Sequence, residues 1–433
     1  MMGGGAEGAR DLAPMWVPLG LSIGPLVALG LARFAYALLL PAMRTSLDWS
    51  YVQAGAMNTA NAAGYLFGAV VAAPLATRFG KGHLFVAGVF GTAIALLGCG
   101  MATNFSVLLL LRVGAGTLGA LSFVLGASLA AEAGSGSSHD RQAFFISIYF
   151  AGAGLGIALS SIIVPITLSI GTSGWRWSWI GFGVTSILLG FLAIPAVRHR
   201  YSSELMQPTY QGTLQYTSLS PLLVAYTLFG AGYIAYMTFI VAFLRGENFH
   251  PTTISAFWVM LGTASVVAGF FWGRVFSSMS GGRPLALALA MNVCGAAAPL
   301  VTRTTVGVFV SAVLFGASLM AVPSAVTAFI RKSRSMRDWI ATIGRFTVLF
   351  GLGQCVGPLL AGYLSDSPSG IRRGLLVSTI ALMVAALVAL LQDERSTIRG
   401  YGVAQADVDT GDDERGRGSI KQGKRSSDDR GCI

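Results

Sequence analysis

Arginines set inside apolar helices are the residues of this sequence best suited to chemistry. A guanidinium at the bilayer centre costs at least about 2.5–3.5 kcal/mol. Arg33, Arg112 and Arg345 are such residues. At about 1.5 Å per residue, Arg33 lies roughly 12 Å from the far end of the first apolar segment and Arg112 roughly 10 Å from the far end of the fourth. Asn58 and Asn61 fall at roughly 10 and 15 Å in the second segment on the same scale. Tyr65 continues their face by i, i+3, i+7 spacing, and Tyr36 shares a face with Arg33 by i, i+3. Two cations, two carboxamides and a phenol at one depth make an anion-binding wall, because arginine grips a carboxylate through two parallel hydrogen bonds. Arg33 satisfying itself on backbone carbonyls, and Arg112 serving helix packing, stand as the structural alternatives. Tyr233 and Tyr236 in the seventh segment, with Tyr226 one heptad earlier, either close the pocket opposite Arg33 or belong to packing and interfaces. Arg345, about a turn inside its helix end, is expected to snorkel.

The acids and histidines are placed differently. Glu7, Asp11, Asp48, Asp140, Glu204, Glu247, Asp338 and Asp366 fall in termini or loops, and Glu132 touches only the end of the fourth segment. His83, His139, His199 and His250 all sit at segment ends. Proton-coupled transporters usually bury a carboxylate or histidine, so coupling here would need Glu132, an arginine relay or the substrate's own proton. There is no GxxxxGK[ST] for ATP, no triad or metal-ligand spacing and no cofactor signature. Cys99, Cys294, Cys355 and Cys432 make no CxxC pair, which excludes a disulfide framework or zinc site and suggests small buried thiols.

What must position these side chains follows from composition. The 433 residues are 54% hydrophobic and 11% charged, with a mean hydropathy of +0.68. A soluble domain is about 25% charged, so this chain requires lipid around it. Its 56 glycines have no three-residue period and lie in apolar runs, where small residues bring helices together. Cutting at polar or Gly/Pro-rich breaks leaves twelve apolar segments, near 16–41, 51–75, 83–102, 105–130, 143–169, 177–197, 218–243, 253–276, 285–301, 307–330, 341–364 and 373–391. Most have the roughly 20 residues that cross a bilayer. The tail after Gln392 holds nine acids and eight bases, so the +11 net charge belongs to the body. There the bases are spread through short loops, twelve on the face of the N-terminus and six on the other, which places both termini in the cytoplasm. Nucleic-acid binding does not fit that dispersal.

An offset of about 200 residues repeats the pattern. GLARFAYALLLP at Gly30 lies over GAGYIAYMTFIV at Gly230, GALSFVLGASLA at Gly119 over GASLMAVPSAVTA at Gly316, and FAGAGLG at Phe150 over LFGLGQCVG at Leu349. The expected organisation is a segment over 1–15, six-helix halves over 16–197 and 218–391, a linker over 198–217 and a solvated tail over 392–433. The tail reads as disordered and cytoplasmic.

An all-α body of twelve membrane helices in two parallel six-helix repeats resembles the major facilitator superfamily, whose halves rock about a midplane site. The loop APLATRFGKG from Ala73 is similar to the family's motif after the second helix: Leu75, Arg78, Gly80 and Lys81 match, while Thr77 stands where the family has an acid. The resemblance makes Arg78, Gly80 and Lys81 gating residues. RVGAGTLGA from Arg112 resembles the fourth-helix Arg-x-x-x-Gly pattern, for which packing or proton coupling is an established use. GQCVGPLLAG in the eleventh has a Gly-x-x-x-Gly-Pro kink that the fifth helix lacks. RFAYALLLPAM, NTANAAGYLFGA and WRWSW resemble the YbfB/YjiJ-type bacterial branch. Trp175, Trp177 and Trp179 read as interfacial anchors, and Pro41, Pro165 and Pro323 as kinks.

The resemblance implies a secondary active transporter of the bacterial inner membrane with a small-molecule substrate, the lipid bilayer and, where one is used, a coupling proton as its partners; the sequence leaves the oligomeric state open, a monomer being the simplest expectation. The cationic, acid-free interior points to an organic anion. A proton-linked exporter of hydrophobic compounds and a transporter-like sensor are the alternatives.

Overall fold

The computed structural model describes residues 13–134, 139–198, 219–333, 336–367 and 370–392. The expectations for the linker and the tail therefore lie, apart from residues 198 and 392, outside the described residues. Within them the chain is helical, and twelve helices are long and apolar enough to cross a membrane: α1 (Trp16–Leu47), α2 (Tyr51–Phe79), α3 (Lys81–Met101), α4 (Phe105–Ala133), α5 (Arg141–Leu168), α6 (Gly174–Arg198), α7 (Ser220–Gly246), α8 (Pro251–Ala268), α9 (Arg283–Val301), α10 (Thr305–Ile330), α11 (Thr342–Ser365) and α12 (Ile371–Leu390). The face where α1 begins is here the near face, and the α1–α2, α7–α8 and α11–α12 turns lie on the far face.

Turn chemistry sets these ends. Asp48, with φ 52°, closes α1 in the left-handed region. Ser50 then opens α2 with a reciprocal cap, its Oγ accepting from the Gln53 amide at 3.1 Å while the Ser50 amide donates to Gln53 Oε1 at 2.9 Å. Asn104 caps α4 and Thr304 caps α10 one-sidedly, each side-chain oxygen accepting from first-turn amides.

Six-residue and longer deviations from the expected segments occur in α1 and α8. Helix α1 continues past Pro41 to Leu47, and its irregularity lies upstream of that proline: residues Leu26–Phe34 form a π-helix, with the Ala35 amide donating to the Gly30 carbonyl at 3.0 Å. Helix α8 stops at Ala268, and a separate short helix covers Trp272–Ser277.

Each half packs by one scheme. In the first, α1 lies on α5, α2 on α4, and α3 on α4 and α6; in the second, α7 lies on α11, α8 on α10, and α9 on α10 and α12. The repeat extends to single contacts. Gly116 of α4 abuts the Asn61 carbonyl of α2, and 200 residues on Gly316 of α10 abuts the Leu261 carbonyl of α8. Tight backbone contact of this kind holds helices together where lipid removes the hydrophobic drive. The halves meet along α2 against α11, α5 against α8, and the Tyr36–Leu47 part of α1 against α7. Leu110, Leu192 and Val301 are among the large apolar side chains left on the outside, facing lipid.

Candidate substrate site between the halves

Arg33 stands in the π-helical turn of α1 and is 2% exposed. A π-helix is rare and is found frequently at functional sites. The guanidinium lies 5.3 Å from the Tyr65 ring of α2. Its Nη2 donates to Gln354 Oε1 of α11 at 2.6 Å, and the Gln354 Nε2 donates to the Tyr233 hydroxyl of α7 at 2.6 Å. Arg33 Nε is buried without a hydrogen-bond partner. This chain of four side chains joins α1 and α2 of one half to α7 and α11 of the other.

Arg112, 1% exposed, has a different environment. It donates from Nε to the Met57 carbonyl at 3.2 Å, from Nη1 to the Ala32 carbonyl in a short contact, and from Nη2 to Asn58 Oδ1 at 3.5 Å. Tyr36 and Trp179 flank it at 5.2 and 5.3 Å. The bond to Ala32 puts the two arginines at one depth, since Ala32 precedes Arg33. Arg112 thus ties α1, α2, α4 and α6 within the first half. The Asn61 amide donates to the Arg112 carbonyl at 3.4 Å, and the Asn58 amide reaches Thr238 Oγ1 of α7 at 2.6 Å.

The structure therefore brings Arg33, Tyr65 and Tyr233 into one cluster and Arg112, Tyr36, Asn58 and Asn61 into an adjoining one. Tyr36 donates its hydroxyl to the Ala54 carbonyl at 2.8 Å. Tyr236 is turned elsewhere: its hydroxyl bonds Ser311 of α10 and its ring stacks on Phe315 at 4.1 Å. Tyr226 belongs to a parallel stack with Phe229, Tyr233 and Phe350, with centroids 4.5–6.1 Å apart. Arg345 is exposed.

In the near-face loop Gly80 has φ +80°, a conformation that glycine adopts without strain. Lys81 pairs with Glu132 and donates to Ser128 Oγ at 3.0 Å, while exposed Arg78 lies over the Phe79 ring. Thr77, in the place of the family's acid, bonds its own helix at the Pro74 carbonyl. On the far face the Asp366 carboxylate accepts from the Tyr51 and Val52 amides at 2.7 and 3.0 Å, so the end of α11 caps the start of α2.

A family model described as "Uncharacterised MFS-type transporter YbfB" matches residues 25–390, which takes in both halves and the whole cluster. The chain belongs to this family of major facilitator transporters. As such it is a multi-pass membrane transporter and not an enzyme. It is 26% identical over 395 residues to the "Inner membrane transport protein YdhP" of Escherichia coli (strain K12), covering 87% of this chain and 96% of that protein. Its fold is that of the nucleoside transporter NupG, at TM-score 0.67, 14% identity, and coverage of 88% of this chain and 98% of NupG. The D-xylose–proton symporter gives a TM-score of 0.69 at 13% identity, with 86% and 96% covered.

Several residues around the site of this transporter carried no functional signal in the sequence. Gln354 lies in an apolar run and was visible only as part of the glycine-proline kink. Thr238 has no pattern at all, and Asp366 reads as a loop acid. Trp179 had one: Trp175 and Trp179 are an i, i+4 pair and both are fully buried, whereas Trp177 between them is exposed. Interfacial anchoring therefore fits Trp177 and gives way to packing at Trp175 and Trp179.

Proposed function

We propose that this transporter carries a small organic anion, most simply a carboxylate, across the bacterial inner membrane by alternating access, with both termini on the cytoplasmic side. The observation that supports this best is Arg33: a buried guanidinium where the halves meet, with Nε unpaired. Among the described residues the salt bridges are Lys81–Glu132 and Arg303–Glu247, and neither reaches it. Arg33 receives the carboxylate; Arg112, already bonded to two carbonyls, holds the turn that presents it. Tyr36, Asn58 and Asn61 complete that support. Tyr233 faces the substrate from the second half, and Tyr236 sets the α7–α10 contact behind it. The Tyr226–Phe229–Tyr233–Phe350 stack offers an apolar wall for the body of an amphipathic acid.

The moving bodies are taken as residues 16–197 and 218–391, joined by 198–217, with Arg78, Gly80 and Lys81 in the near-face gate. Glu132 is the carboxylate available to a coupling proton. Flux into proteoliposomes of labelled carboxylates and matched neutral amides tests the reading. Arg33→Ala should lower carboxylate flux roughly 10–100-fold, the worth of a lost hydrogen bond to a charged group. Transport of neutral or cationic solutes, unaffected by Arg33→Ala and Arg112→Ala, overturns it. That outcome would favour a second reading, export of neutral hydrophobic compounds along the same aromatic stack.

A further inference from the structure

We infer that Gln354 is an internal stand-in for the substrate: in the empty carrier its carboxamide oxygen occupies the place on Arg33 that the transported carboxylate takes, and the substrate displaces it. This rests on the anion reading of Arg33. Nε and Nη2 form one edge of a guanidinium, the edge that a carboxylate engages with two parallel bonds. Here Gln354 Oε1 holds the Nη2 corner at 2.6 Å and the Nε corner is buried without a partner. A carboxamide has a single oxygen and no charge, so it fills half of that edge. A carboxylate brings a second oxygen for Nε and the missing negative charge.

The displacement has a direction built in. Gln354 comes from α11 and keeps its other bond, Nε2 to the Tyr233 hydroxyl, inside its own half. When the substrate takes Arg33, Gln354 loses its grip on the first half and stays with Tyr233. Arg33 keeps the Tyr65 ring below it. Binding therefore exchanges a contact between the halves for a contact with the solute, at the place where α1 of one half faces α11 of the other. A neutral glutamine suits this role. It shields the guanidinium of the empty carrier without forming an ion pair that the solute could not break.

The test uses the full-length protein in nanodiscs and follows two readouts. The first is thermal stabilisation by lactate, benzoate and succinate, with benzamide as the neutral control. The second is the melting temperature without any solute. Gln354→Glu supplies an internal carboxylate. It should weaken binding of the acids about 100-fold, because like charges are then forced together, and it should raise the solute-free melting temperature only where Arg33 is present. Gln354→Leu removes the competitor and should leave acid binding equal or severalfold tighter. If both variants bind the acids as the unmodified protein does while Arg33→Ala abolishes binding, the anion reading stands and the stand-in role falls. Should none of the acids stabilise the unmodified protein, or Arg33→Ala bind them unchanged, the anion reading falls and takes this inference with it. A solute-free melting temperature for Gln354→Glu that is the same with and without Arg33 also overturns the inference.

Discussion

Removing the Asp366 carboxylate should unlatch the far face. Its two oxygens accept from the first two amides of α2, at 2.7 and 3.0 Å, across the boundary between the halves. These amides have no intrahelical acceptor, and the positive end of the helix dipole lies on the same spot. A capping side chain is worth about 0.5–2 kcal/mol and the charge–dipole part about 0.3–1 kcal/mol. Because Asp366 is exposed, the lower half of that sum applies, and Asp366→Ala should shift the equilibrium by about 1–2 kcal/mol, roughly 5–30-fold. A state populated at about 1% would rise to between about 5% and 25%. The assay is the distribution of spin-label distances between Ser46→Cys and Thr305→Cys, both exposed on the far face, in a background lacking native cysteines. The long-distance population should grow in Asp366→Ala and grow less in Asp366→Asn, which keeps one acceptor. An unchanged distribution in a folded, membrane-inserted Asp366→Ala would refute the latch, as would a shift toward shorter distances.

Other expectations follow from single contacts. Arg112→Leu removes three hydrogen bonds from a charged donor that tie α4 to the Ala32 and Met57 carbonyls and to Asn58, worth about 1.5–3 kcal/mol each, and should lower the melting temperature sharply, whereas Arg33→Ala, which breaks one such bond, should lower it less; equal losses would contradict the division of labour. A Cβ at Gly262 would lie 2.6 Å from the Gly154 carbonyl oxygen across the α5–α8 contact, so Gly262→Ala should cost about 1–3 kcal/mol of packing and slow flux, checked by thermal melting and transport side by side. Gly80→Ala forces a φ of +80° on a side chain, at about 1–2 kcal/mol, and should destabilise the α2–α3 connection, seen as faster amide exchange at residues 76–84. Trp179→Ala should be far more damaging to stability than Trp177→Ala, since only the former is buried against Tyr36 and Arg112.

Much of this was legible in the residues because membrane burial simplifies the code. Helices appear as apolar runs, and a buried arginine stands out against them. The 200-residue offset was equally plain, and it recurs in the structure as Gly116 on Asn61 and Gly316 on Leu261. What stayed hidden depends on partners far away in the chain. Gln354 acquires meaning only when a bond spanning 321 positions brings it to Arg33, and Asp366 only from amides 314 and 315 positions earlier. The π-helical turn has no residue signature: Leu26–Phe34 is as good an α-helical sequence as its neighbours. Depth by counting also erred at α1, because Pro41 looks like an end and the helix runs on to Leu47.

The two buried guanidiniums, with no carboxylate among the described residues pairing either, also have an electrical consequence. Charge moved through the membrane potential is worth about 2.3 kcal/mol per elementary charge per 100 mV. In the proposed alternating-access cycle, the unloaded carrier shifts its positive interior through part of that field. On the proposed anion reading, a monovalent acid aboard cancels half of that charge, and a divalent acid cancels all of it. On that reading the valence of the cargo decides which half of the cycle feels the voltage: with a dianion the loaded crossing is electrically silent, and the potential acts only on the empty return.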